Sequence, residues 1–354
     1  MIHHCVGSDY ILVYSPYDHH PTIPQHQFTI MTTSSSTPVS TTPLATDVLA
    51  GLSQYPKKLP SKYFYDARGD ELFQQIMRMP EYYLTDCEFE ILEKHRQDIL
   101  DHIGHQRFEL VELGAGDGYK TKVLLRHFLE RGEDFRYCPV DISGNVLREL
   151  EDSLKADLPD LSFNCLPGDY FDMLGDLQGR SKAPKVILFL GANIGNMARA
   201  EALGFLQRIR ANMLPKDLLL IGFDLKKDPE VILRAYNDPA GITAAFNLNL
   251  LTRINRELDA NFQLEHFRHW ETYNPLTGAT KSYILSTRRQ SVYIKGLDRT
   301  FHFEPWEAMD VELSQKYSIF EVEALLQEAG LTPVQHFTDQ RRYFLDSLVK
   351  ANTE

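Results

Sequence analysis

The chain has 354 residues, 43% hydrophobic, 11% aromatic and 24% charged, which suits about two globular domains and excludes collagen, global disorder and disulfide miniproteins. Thirty-seven basic against 49 acidic side chains give a formal charge of −12. That balance disfavours a general nucleic-acid or anionic-membrane binder, because both need clustered positive charge.

Residues 1–44 carry His-His pairs, scattered prolines and a Ser/Thr run from Thr32 to Thr37. They have little to bury, so a flexible tail is expected. His3, His4, His19 and His20 have metal-ligand chemistry, yet solvated histidines are the commoner reading of a tail, and no metal site is expected. From Asp47 the chain reads as globular. Asp70–Met77 has helical apolar spacing and Pro80 ends it. A second helix is predicted to start near Thr85, with Glu88 at capping-box spacing, and to run toward Leu100.

The pattern then alternates. Strands are predicted at Phe108–Leu113, Tyr137–Asp141, Ser162–Leu166 (the weakest), Lys185–Leu190 and Asp217–Phe223. Helices are predicted from about Lys120, Val146 and Ala198. Nearly all-apolar strands alternating with helices mean a parallel sheet covered on both faces. After Asp224 the alternation stops. Residues 227–315 hold a helix (Ala244–Leu258) and strand-like runs (Lys281–Thr287, Ser291–Ile294), which read as a second, inserted unit. A last helix (Ile319–Ala329) and strand (Tyr343–Leu348) return to close the sheet.

Cys5, Cys87, Cys138 and Cys165 form no C-x-x-C pair, so a zinc knuckle or thioredoxin-type site is not expected. Spaced thiols in a large chain read as reduced, hence cytoplasmic. No apolar run approaches about 18 residues, and the start lacks a signal-peptide pattern.

Ligands of open parallel sheets bind beyond the carboxyl ends of the strands. The first strand ends in Gly114-Ala115-Gly116-Asp117-Gly118, where glycines admit a ligand and a helix N-terminus follows. A dinucleotide fingerprint needs glycine where Tyr119 stands. The G-x-G-x-G pattern fits S-adenosylmethionine better, with a plain tight turn as the alternative. Asp141 ends the second strand, where an acid accepts from a ribose or merely caps a helix. Gly168-Asp169-Tyr170 follows the third strand, where an acid can hold an adenine amino group or simply face solvent. The fourth junction, Gly191 to Met197, carries Asn196, which can hold an amine and a carboxylate or cap the next helix. Tyr63 to Asp66 and Pro80 to Tyr83 cluster tyrosines that suit packing or substrate contact. Glu312 and Ser314 share a face if their segment is extended, and such a pair can hold a polar ring.

The stretches Leu59–Asp66, Met79–Tyr83, Glu112–Gly116, Leu190–Asn196, Tyr236–Gly241, Phe246–Asn249, Ile254–Leu258 and Glu312–Lys316 together resemble the L-histidine Nα-methyltransferase family of ergothioneine biosynthesis. That family is related to the dimethylallyltryptophan N-methyltransferases. The resemblance covers nearly everything after residue 45. It implies an α/β fold, with a Rossmann-like S-adenosylmethionine-dependent methyltransferase domain (89–226 plus 316–354). A smaller α+β substrate-binding domain (45–88 plus 227–315) completes it.

By resemblance, Gly114, Gly116, Lys120, Asp141, Asp169 and Tyr170 line the cofactor site. Tyr65, Tyr82, Gly191, Asn196 and Tyr236 surround the substrate's amine and carboxylate, with Tyr65 and Asn196 closest to the chemistry. Glu312 and Ser314 hold the imidazole. Ser282 stands where the family often has methionine, which opens the question of side-chain specificity. An apolar indole gains little from a buried carboxylate, so Glu312 favours histidine. The implied reaction is stepwise conversion of L-histidine to its Nα-trimethyl betaine, hercynine, by a monomer with no nucleic-acid or membrane partner. Alternatives are methylation of another amino acid, or a catalytically silent protein that binds an amino acid or S-adenosylmethionine.

Overall fold

The computed structural model describes residues 41–180 and 182–352. The N-terminal tail through residue 40, with its paired histidines, lies outside them. Helix α1 (Pro43–Ser53) already begins inside the stretch read as tail; Thr42 caps it and Leu44 is buried. There follow β1 (Lys57–Lys58), α2 (Ala67–Met77), α3 (Tyr83–Ile103), β2 (Phe108–Leu113), α4 (Thr121–Glu130) and β3 (Phe135–Asp141). Next come α5 (Gly144–Asp157), β4 (Leu166–Pro167), α6 (Tyr170–Arg180), β5 (Lys185–Phe189), α7 (Arg199–Ala211) and β6 (Leu218–Asp224). Helices α8 (Pro229–Tyr236) and α9 (Ile242–Leu258) lead to β7 (Phe267–Asn274), β8 (Ala279–Ser286), β9 (Gln290–Ile294), β10 (Arg299–Phe303) and β11 (Ala308–Gln315). The chain closes with α10 (Ile319–Glu328), β12 (Leu331–Thr338) and β13 (Phe344–Ala351).

The main sheet has seven strands in the order β12-β13-β6-β5-β2-β3-β4. Strands β2 to β6 are mutually parallel, and β13 inserts antiparallel beside β6. Every residue of β2 and β5 is buried, because helices cover both faces. One face packs on α3, α4 and α5 through residues such as Ile91, Leu124 and Leu154. The other packs on α6, α7 and α10 through Leu174, Leu206 and Leu325. The fold is the α/β, Rossmann-like one expected. A second sheet, β1-β11-β8-β7, packs on α1, α2 and α9 around its own apolar cluster, with Phe64, Leu250 and Ile284 fully buried.

Three expectations change. Helix α3 starts at Tyr83 and no side chain caps it; the Thr85–Glu88 pair lies inside the helix, and Glu88 is wholly buried with other partners. The third strand shrinks to Leu166–Pro167, with an isolated bridge from Tyr137 to Phe163; it is an edge strand containing proline, which cannot donate to a ladder. The sequence pattern does not predict helices α6 and α8 or strands β7, β10 and β12, and it reaches β11 only through the conditional reading of Glu312 and Ser314. Asp228 and Pro229 start α8, the aspartate accepting from Glu230 N–H at 2.9 Å.

Candidate active site

The parallel strands end at one edge, and their following loops meet β11 there. Gly191 (φ +78) and Ala192 (φ +55) turn the chain sharply after β5. A 3-10 turn follows at Asn193–Asn196. Helix α7 starts only after Ala198, so Asn196 is not its cap.

A partly open cavity sits at this junction. Gly191, Asn193 and Asn196 line it from the loop after β5. Tyr65 and Tyr82 line it from the N-terminal segment, Tyr236 from the end of α8, and Glu312 and Ser314 from β11. Phe73, Ile76, Leu84 and Phe246 supply apolar wall. Seven of the eight expected substrate residues therefore share one chamber. The eighth, Ser282, stands behind the wall; its hydroxyl donates to Glu312 Oε2 at 2.9 Å.

The surroundings explain the motifs. Arg253 of α9 donates to the carbonyls of Tyr63 and Tyr65 at 3.2 and 3.0 Å. Asp66 caps α2 through Gly69 N–H at 2.8 Å and accepts from Asn249 at 2.8 Å. The Tyr65 ring meets Phe73 and Phe246 edge-on, each at 5.5 Å. Asp238 accepts from the N–H groups of Ile242 and Thr243 at 2.9 and 2.8 Å, fixing the turn between α8 and α9.

Under Tyr236 lies a buried charge network. Lys316 Nζ donates to the Tyr236 hydroxyl and to Ser314 Oγ, both at 2.7 Å, and pairs with Asp224 at 2.7 Å. The side chains of Lys316 and Asp224 are fully buried. Asp224 resists the burial that would raise its pKa, because Lys316 and Lys227 hold it below the usual carboxylate range. Burial pushes the hydroxyls of Tyr65, Tyr82 and Tyr236 up, and nearby negative groups such as Glu312 add to it. Tyr65 keeps 43% of its surface exposed while lining the same cavity as Glu312. All three hydroxyls stay protonated at neutral pH and offer hydrogen bonds rather than base strength. Burial also raises the Glu312 carboxyl, against the Ser282 hydrogen bond and the Lys316 charge.

The expected cofactor residues converge next door. Gly114 and Gly116 adopt φ +74 and +55, a region glycine enters without strain. A Cβ on Gly114 would lie 2.8 Å from the Tyr170 hydroxyl. Burial raises Tyr170 to about 12, helped by the charges of Asp141 and Asp169. Asp141 and Asp169 also accept from Ser143 N–H and Phe171 N–H, at 2.8 and 2.9 Å. Lys120 Nζ would lie 3.6 Å from a Cβ on Gly191, which ties the two loops. Sequence reasoning missed two residues here. The Asn193 amide nitrogen would lie within 3.8 Å of a Cβ on Gly114 or Gly191, and Glu88 binds both Lys120 and Gly191 N–H.

The family model for histidine-specific, SAM-dependent methyltransferases matches residues 44–351. The chain is 37% identical to the histidine N-alpha-methyltransferase of Mycobacterium tuberculosis, over 84% of this chain and 91% of that protein. It is 33% identical to ergothioneine biosynthesis protein 1 of Neurospora crassa, over 84% of this chain and 33% of that longer protein. A 4-dimethylallyltryptophan N-methyltransferase of Penicillium roqueforti is 26% identical, over 82% of this chain and 88% of its own length. This chain is a member of the histidine-specific, SAM-dependent methyltransferase family.

Proposed function

We propose that this protein transfers methyl groups from S-adenosylmethionine to the α-amino nitrogen of L-histidine, three times in succession, giving the trimethylated betaine in the cytoplasm. The observation that carries this reading is the single chamber. Its lining brings together Asn196 and tyrosine hydroxyls, suited to an amino acid's amine and carboxylate, and Glu312 with Ser314, suited to a ring with polar N–H groups. In this reading β1, β7, β8 and β11, with α1, α2, α8 and α9, form the substrate-binding part.

The residues after β2, β3 and β4 fit the cofactor. Gly114 leaves a cradle that a Cβ would fill. Asp141 and Asp169 are acceptors for ribose hydroxyls and an amino group, and Lys120 is a cation for a carboxylate. When bound, S-adenosylmethionine supplies a sulfonium methyl and a positive charge that disfavours a neighbouring ammonium.

The acceptor must present a neutral amine, because an ammonium has no lone pair. Asn196 and the hydroxyls of Tyr65 and Tyr82 orient that amine; positioning is a major contribution when two atoms must meet in line. Held protonated, the tyrosines do not act as bases, and the proton leaves to water at the mouth where Tyr65 and Asn196 are exposed. Glu312 accepts an imidazole N–H, and the Lys316-held pair of Tyr236 and Ser314 fixes the neighbouring wall. Mass spectrometry of histidine incubated with enzyme and S-adenosylmethionine tests the reading; an unchanged histidine mass refutes it. A panel of other amino acids, motivated by Ser282, tests the side-chain assignment.

A further inference from the structure

Glu88 is the residue on which the two halves of the proposed site converge. It comes from α3, and its side chain is wholly buried. Its Oε1 and Oε2 accept from Gly191 N–H at 2.7 and 3.0 Å, so it holds the loop that lines the chamber. It also pairs with Lys120, which belongs to the proposed cofactor site. The close approach is built in. Gly222 of β6 faces Glu88, and a Cβ there would lie 2.5 Å from Glu88 Oε1.

Directly across the ladder from Gly222 stands Asp346 of β13. It is fully buried, and neither of its carboxylate oxygens receives a hydrogen bond. Directly opposite residues project to the same face, so the Asp346 side chain lies on the face of the sheet where Gly222 meets the Glu88 carboxylate, and the Glu88 charge acts on it. Two ionised carboxylates cannot satisfy each other, because neither donates; with one proton between them the contact becomes a hydrogen bond. The charged groups facing this pair are Lys120 from the start of α4 and Glu112 from β2. Asp224, two residues along β6 from Gly222, is already paired with Lys316 and Lys227. Lys120 is thus the cation that balances Glu88, and a second negative charge on Asp346 would be uncompensated.

We propose that Glu88 and Asp346 form a carboxyl–carboxylate pair sharing one proton, and that this pair positions Gly191 and Lys120 together. Glu88 is then a positioning residue that couples the substrate loop to the cofactor loop, with Asp346 as the proton holder that keeps its charge at −1. The inference rests on the cofactor assignment of Lys120, not on the identity of the amino-acid substrate. Burial and the Glu88 charge both hold the Asp346 proton on, far above the ordinary carboxylate range. A carboxyl raised in this way contributes stability below its unfolded pKa, and that contribution is lost as pH rises.

D346N mimics the protonated acid, since its amide can donate to Glu88. Its melting temperature relative to the parent protein should therefore climb with pH, by at least several degrees between pH 5 and pH 8. A D346N protein that loses stability, and loses more at higher pH, would overturn the proposal, because Asp346 would then be an anion serving Lys120. Calorimetric titration with S-adenosylhomocysteine is the second readout. E88Q keeps an acceptor for Gly191 N–H but removes the negative charge that pairs with Lys120 and holds it in place, and should weaken this ligand about tenfold, one charge-assisted contact. Unchanged affinity in a folded E88Q protein would equally overturn the coupling. Neither readout involves histidine turnover, so failure here is distinguishable from failure of the proposed reaction.

Discussion

The backbone of Gly195 lies against the backbone of Gln315: a Cβ on the glycine would sit 2.9 Å from the Gln315 carbonyl oxygen and 3.3 Å from its nitrogen. This contact presses the loop bearing Asn196 onto the strand bearing Glu312 and Ser314. Two surfaces contributed by distant parts of the chain become one chamber. Gly195→Ala tests the contact with no left-handed backbone requirement to confuse it, since Gly195 does not have a positive φ. The added methyl should cost about 1–3 kcal/mol, as overpacking does. It should also reduce kcat/KM for histidine, read by methyl transfer, while S-adenosylhomocysteine binding persists. Unimpaired turnover would mean that the loop and strand need not touch.

The main sheet was legible because β2 and β5 are mostly apolar and wholly buried, and glycines follow them at Gly114 and Gly191. Strand β11 was not, except as a conditional reading of Glu312 and Ser314. Its alternation is broken by a register shift between Asp310 and Glu312, and its polar residues serve the cavity rather than the core. Motifs pointed to Tyr65, Asn196 and Glu312, which line one cavity, but not to Glu88. Its spacing from Thr85 mimics a helix start, and its actual partners, Lys120 and Gly191, are 32 and 103 residues away. Burial of a charge is decided by tertiary contacts that local periodicity does not encode.

Glu312 should set the preference for a polar ring. Glu312→Gln removes a charge-assisted hydrogen bond and should lower kcat/KM for histidine roughly 10- to 100-fold, with a smaller effect on any amino acid lacking a ring N–H. Because burial raises the Glu312 carboxyl, the parent enzyme should lose histidine binding at a higher pH, as pH falls, than an ordinary glutamate would dictate. The variant should lack that acid limb. An identical limb in both proteins would assign it to another group.

The Lys316–Asp224 pair should carry stability as well as placement. Lys316→Met leaves a buried carboxylate with less compensation, which costs about 3 kcal/mol, read by denaturant unfolding. It also removes the donor that fixes the Tyr236 hydroxyl at 2.7 Å, so KM for histidine should rise in the folded fraction. A variant with parent-like stability and KM would show the network to be dispensable.

Glu112, at the end of β2, offers a pH test independent of activity. Burial raises it to about 7, opposed by hydrogen bonds from Thr121 and Tyr137. Its folded pKa lies above the unfolded value, so its contribution is present below about 4.5 and is lost as pH rises through about 7. Glu112→Gln mimics the protonated form. The stability difference between variant and parent should shift in the variant's favour by roughly 3 kcal/mol from pH 4 to pH 8, measured by denaturant titration. A difference independent of pH would place the Glu112 titration elsewhere.

The central claim is that the chamber aims the α-nitrogen of histidine, and not its ring, at the methyl donor. Incubation of histidine with methyl-¹³C S-adenosylmethionine, followed by proton–carbon correlation NMR, reads the site of attachment directly. Label is expected on the α-nitrogen only, building to three equivalent methyl groups while the imidazole protons keep their shifts. Label on an imidazole nitrogen, or none on histidine at all, would contradict it.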